Sequence, residues 1–156
     1  MTRRSVPGAV LYSCSGSSNV AQLANYIAVR LDRAGLAEMS CIAGVGGNVK
    51  PLVKKAISGA PIVLIDGCPL RCCEHVLAAK GVQPAIAVRL HERGLRKVQH
   101  ADFEPGERES VLRDVLAELA PMLRESGSHL DARIASILGA TSESDHVAHR
   151  RCAEGA

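Results

Sequence analysis

Residues 61–81 read PIVLIDGCPLRCCEHVLAAKG, and this stretch decides the fold. Ile62 to Ile65, with Pro61 before them, form a short continuous apolar run, the pattern of a strand buried on both faces in a parallel sheet. The run stops at Asp66-Gly67 and Cys68 stands where the chain leaves it. Pro69 suits the first position of a helix, and Leu70, Cys73, Val76 and Leu77 supply that helix with an apolar stripe up to Gly81. On this reading Cys68 and Cys72 flank the first helical turn with both thiols on one side of it. The free N–H groups there favour the thiolate form that binds metal.

Two further units of the same kind precede it. Pro7–Ser13 is a strand candidate followed directly by Cys14. After the loop Ser15–Ser18, Asn19 is the expected N-cap of a helix with Val20, Leu23, Ala24, Ile27 and Leu31 on one face, closed by Gly35. Leu36–Ile42 is a second strand, interrupted by Glu38 and Ser40, which carries Cys41 near its end. A glycine-rich turn, Ala43–Gly47, and a helix capped by Asn48 with Leu52, Val53, Ala56 and Ile57 inward follow it. Cys14, Cys41 and Cys68 therefore recur every 27 residues. No sequence repeat accompanies the recurrence, so a repeating βα unit with one cysteine leaving each strand accounts for it. In open parallel sheets the strand ends form the ligand crevice, where residues remote in sequence meet. Cys14, Cys41, Cys68 and Cys72 are accordingly the candidate site.

Downstream, residues 83–88 form a fourth strand and Arg96–Gln99 a short strand or turn. Glu107–Glu125 is a helix with Val111, Leu112, Val115, Leu119, Met122 and Leu123 inward, which Pro121 is expected to bend or shorten. The pattern predicts a three-layer α/β fold of the Rossmann-like or flavodoxin-like kind, a mostly parallel sheet with helices on both faces. A single domain spans residues 1–125, residues 126–140 add a short amphipathic helix, and residues 141–156 form a mobile polar tail that carries Cys152.

The 156 residues are 47% hydrophobic, enough for one domain with its own core. Aromatics make up 2% and Trp is absent, which argues against base stacking on single-stranded nucleic acid. The net charge of +3 is spread over helix surfaces, so nucleic acid is not an expected partner. No stretch approaches a membrane span, and the start MTRRSVPGAV has too few apolar residues for a secretory signal. The expected location is the cytoplasm, where six cysteines argue for metal or redox chemistry rather than disulfides.

Four thiolates make a closed zinc set, although this spacing differs from that of zinc ribbons. Strand, cysteine, Ser/Gly loop and helix at Cys14 also resembles the phosphate loop of low-molecular-weight tyrosine phosphatases. Val20 occupies the position of their phosphate-holding arginine, which removes the clamp that a dianion needs. The turn Gly44–Gly47 matches neither a dinucleotide fingerprint nor a P-loop. His75 and His91 are expected on solvated surface, and Cys73 as a buried apolar thiol.

YSCSGSSN at Tyr12–Asn19, CIAGVGG at Cys41–Gly47 and DGCPLRC at Asp66–Cys72 together resemble the DGC domain family, from about residue 8 to residue 106. The resemblance implies a small zinc-binding domain with four chelating cysteines, which map here onto Cys14, Cys41, Cys68 and Cys72. It implies no particular reaction. The alternative use of the same thiols is redox or sulfur-transfer chemistry, with an iron–sulfur cluster as the alternative cofactor. A protein partner or a small ligand near the metal is the expected interaction.

Overall fold

The computed structural model describes residues 8–124 and 131–139; the tail beyond Gly139, with Cys152, lies outside the described residues. Strands β1 (Val10–Ser13), β2 (Glu38–Met39), β3 (Ile62–Asp66) and β4 (Ile86–Arg89) form one sheet in the order β2-β1-β3-β4, and every pairing is parallel. Each residue of β1 and β3 is buried, so continuous apolar runs mark the two central strands, as a sheet covered on both faces requires.

The helices are α1 (Asn19–Arg33), α2 (Ile42–Gly46), α3 (Lys50–Ala56), α4 (Cys72–Ala78) and α5 (Pro105–Arg124), followed by α6 at residues 131–139. The chain moves outward from β1 to β2, then back across β1 to β3 and on to β4. Right-handed crossovers put α1 on one face and α2, α3 and α4 on the other. The contacts agree: α5 packs on α1, while α2 touches both α3 and α4. Arg30 and Arg133 tie α6 to α1 through the carbonyls of Ile137 and Gly35.

Leu23, Ile27 and Leu31 of α1 and Leu112 and Leu119 of α5 are buried with Leu11, Tyr12, Leu64 and Ile65 of the sheet. Each buried aliphatic side chain contributes about 1.5–3 kcal/mol, which is how an interior with few aromatic rings is held together.

Several expectations are corrected. The second strand is confined to Glu38–Met39, and the predicted glycine-rich turn is the short helix α2, which begins at Ile42 and is capped by Cys41. Ser18, not Asn19, holds the N-cap position of α1, and Val49, not Asn48, that of α3. Helix α4 starts at Cys72 rather than Pro69, with Arg71 before it in the left-handed conformation at φ 46°. Cys68 and Cys72 therefore do not share a helical turn. The fourth strand reaches Arg89. Pro121 does not end α5, which continues to Arg124, since its apolar face through Leu123 remains buried.

Candidate functional site

The sheet places β1 beside β3, and the chain leaves these neighbouring strands in opposite directions, toward α1 on one face and α4 on the other. This is the topological switch point at which open α/β sheets bind ligands. Cys14 continues the ladder by donating its backbone N–H to the Ile65 carbonyl at 3.1 Å. Its thiol is buried, and its Sγ accepts the Gly67 amide at 3.1 Å. Gly67 has no room for a side chain, since a Cβ there would lie 2.4 Å from the Val20 carbonyl oxygen. The glycine of the Asp-Gly-Cys triplet thus lets the loop after β3 press against the first turn of α1, and its amide reaches the thiol of the neighbouring strand.

Asp66, 1% exposed at the end of β3, accepts the backbone amides of Cys73 and Glu74, each at 3.1 Å. These are N–H groups of the first turn of α4, and Arg71 at the cap position makes no side-chain hydrogen bond to them. Arg89 of β4, the register partner of Asp66, forks onto both carboxylate oxygens of Glu74 at 3.1 Å. This hydrogen bond holds the Glu74 carboxyl below the usual carboxylate range.

Helix α4 therefore begins with Cys72 exposed and Cys73 buried. Cys14, Cys72 and Cys73 line one cavity of about 200 Å³, with Ile42, Ala43 and Val76 among its apolar wall residues. Burial pushes the Cys14 thiol up to about 12, with the Gly67 amide pulling the other way. Burial also raises Cys73, with the charge of Asp66 and a thiol hydrogen bond to that carboxylate adding to it. Cys68 is buried in the loop between Gly67 and α4 and lies within electrostatic reach of Cys14. Cys41 stands apart: its thiol is exposed and accepts the Gly44 amide at 3.4 Å as the cap of α2, although the next two residues line the cavity.

All five cysteines among the described residues are free thiols. Among the described residues no three Cys, His, Asp or Glu side chains are drawn together into a metal-binding group. The donors match a soft ion in kind and in placement at one sheet edge, and they are not gathered about a centre. His75 is exposed, and half-buried His91 faces Glu92 at 4.0 Å. Neither histidine lines the cavity of the thiols.

The loop after Cys14 is occupied from behind. The Asn19 side chain donates to the Arg96 carbonyl at 3.1 Å and accepts the Val98 amide at 2.8 Å. The Asn19 and His100 amides donate to the carbonyls of Val98 and Ser17, and Ser18 bridges Gln99. Residues 96–100 thus pair with the start of α1, and Val20 stands in the place of a phosphate-holding arginine. Sequence reasoning missed the roles of Asp66, Arg89 and Asn19: Asn19 and Arg89 act on residues 15 or more positions away, and Asp66 caps a helix seven residues on in place of the local Pro69 start.

The family model of the DGC domain matches residues 10–115. The chain is similar to the anaerobic and virulence modulator AnvM of Pseudomonas aeruginosa, with 51% identity over 115 residues, covering 74% of this chain and 88% of that relative. No solved structure matches the chain. Among the described residues no helix is long and apolar enough to cross a membrane.

Proposed function

The chain belongs to the DGC domain family, and from that premise we propose that it is a zinc-binding regulatory protein. Cys14, Cys41, Cys68 and Cys72 would hold the ion. The observation that carries this reading is the meeting of loops from three βα units around one thiol-lined cavity at the switch point. Zinc supplies no redox chemistry; it joins thiolates from separate loops into one rigid cluster. Cys14 and Cys72 share the cavity, whereas Cys41 caps its own helix, so completing the set of four would require the loops to close. Cys41 would join the set from its place as the cap of α2, and Arg71, one residue before Cys72 and paired with Glu74 at 3.6 Å, would be the cation beside it. A regulatory output accords with the name of the Pseudomonas relative, which describes that protein as a modulator.

A second reading is favoured by the exposure of Cys72 at a cavity that also holds Cys14 and Cys73. There the same thiols perform redox or sulfur-transfer work, alone or around an iron–sulfur cluster. One experiment separates the two. Anaerobic purification followed by metal analysis and a visible spectrum is expected to give colourless protein with zinc. Brown protein with iron and labile sulfide replaces zinc with a cluster, and metal-free protein with a reversible disulfide establishes the redox reading.

A further inference from the structure

We propose that Asp66 is the positioning residue of this site, because the two α4 amides it accepts fix where that helix starts and hence which of the adjacent thiols, Cys72 or Cys73, faces the interior. Local sequence favours a different start. Cys68-Pro69 offers a proline suited to the first helical position, and a helix begun there would carry Cys68 at its cap. The observed helix begins three residues later, after a residue in the left-handed conformation and without a side-chain cap of its own. What replaces that cap is a carboxylate from the end of β3, with one oxygen on the Cys73 amide and the other on the Glu74 amide. Arg89, the cross-strand partner of Asp66, holds the Glu74 side chain from β4. The start of α4 is therefore pinned to two neighbouring strands.

The consequence for the thiols is rotational. Successive helical side chains point about 100° apart, so a shift of the helix by one residue in either direction turns Cys73 out of its buried place, either to where Cys72 stood or onward with Cys72 taking its place. With Asp66 in place, Cys73 is fully buried and Cys72 is exposed. The inference rests on reading these thiols as the functional site, but not on which ion they hold.

The test is alkylation of the full-length, metal-free protein with iodoacetamide at one pH, each cysteine followed by peptide mass. In the parent protein Cys41 and Cys72 are expected to react fast and Cys14 and Cys73 slowly. Asp66→Ala and Asp66→Asn both remove the charge that raises Cys14 and Cys73, so position is read from the difference between them: Cys73 is expected to react roughly fivefold to tenfold faster in Asp66→Ala than in Asp66→Asn, the scale set by loss of a helix cap, with no such gap at Cys14. Asp66→Asn keeps one oxygen acceptor for one of the two amides and lacks the charge, which makes it the reference for Asp66→Ala. The proposal is overturned if Cys73 reacts no faster in Asp66→Ala than in Asp66→Asn, or if Cys14 shows the same gap between the two variants. Should Asp66→Ala fail to fold, amide exchange in Asp66→Asn decides. Faster exchange at Cys73 or Glu74 with Leu77 unchanged supports the assignment, and no change at either amide overturns it. Zinc content measured alongside reports on the metal separately, since the alkylation pattern is read without it.

Discussion

The Gly67 amide donates to the Sγ of Cys14 across two strands that are neighbours in the sheet and 53 residues apart in sequence. This bond exists because Gly67 lacks a side chain, which allows the loop after β3 to approach the Val20 carbonyl closely enough to aim its N–H at the thiol. The two cysteine loops are thereby one structural unit before any ion binds.

Gly67→Ala tests that unit. The new Cβ would meet the Val20 carbonyl carbon at 2.6 Å as well as its oxygen, and both are backbone atoms that cannot swing aside. The expected cost is about 1–3 kcal/mol, seen as a lower urea midpoint, together with faster alkylation of Cys14. An unchanged midpoint and an unchanged Cys14 rate together would show that the approach is looser than described.

The adjacent thiols separate by metal content. Cys72→Ser replaces a soft ligand with a poor one and is expected to lower zinc per chain strongly. Cys73→Ser is expected to keep the metal, because Cys73 is buried and bonded to Asp66, and to lose stability through a buried hydroxyl. The reverse pattern, zinc lost in Cys73→Ser and kept in Cys72→Ser, would move the ligand set to Cys73.

Metal-free protein should weaken in alkali. The folded-state value of Cys14 is raised from 9.0 to about 12, so the native chain keeps a proton that the unfolded chain releases. The stability contributed is fully present below pH 9.0 and is lost as pH rises from there through about 12. Each such thiol contributes a slope of about 1.4 kcal/mol per pH unit in that window, and Cys73 acts in the same direction. Urea midpoints at about pH 8 and about pH 10 measure it, and Cys14→Ala should flatten the slope by the share of one thiol.

Asn19→Ala should release residues 96–100. The substitution removes the bonds to the Arg96 carbonyl and the Val98 amide at a cost of about 1–2 kcal/mol. Faster amide exchange at Val98 and His100, with β3 unaffected, is the expected observation. Uniform acceleration across the sheet would mean that Asn19 supports the core rather than this segment.

The sequence by itself determined the βα units, because burial writes a local period into the chain. Val20, Leu23, Ile27 and Leu31 mark one helix face, and the continuous run Ile62–Ile65 marks a strand covered on both sides. It also determined that Cys14, Cys41 and Cys68 lie at or just beyond the ends of strands, since turns and apolar runs are themselves local. Only the tertiary structure decided which of these cysteines are neighbours. The order β2-β1-β3-β4 puts the loop of Cys14 against that of Cys68, while Cys41 caps its own helix. Likewise the start of α4 is set by Asp66, five residues before the cap, and by Arg89 on another strand, overriding the proline that favoured an earlier start. Periodicity carries no record of strand order, which arises from hydrogen bonds and packing between segments that meet only after the chain has folded, nor of a cap whose carboxylate stands seven residues before the amide it accepts.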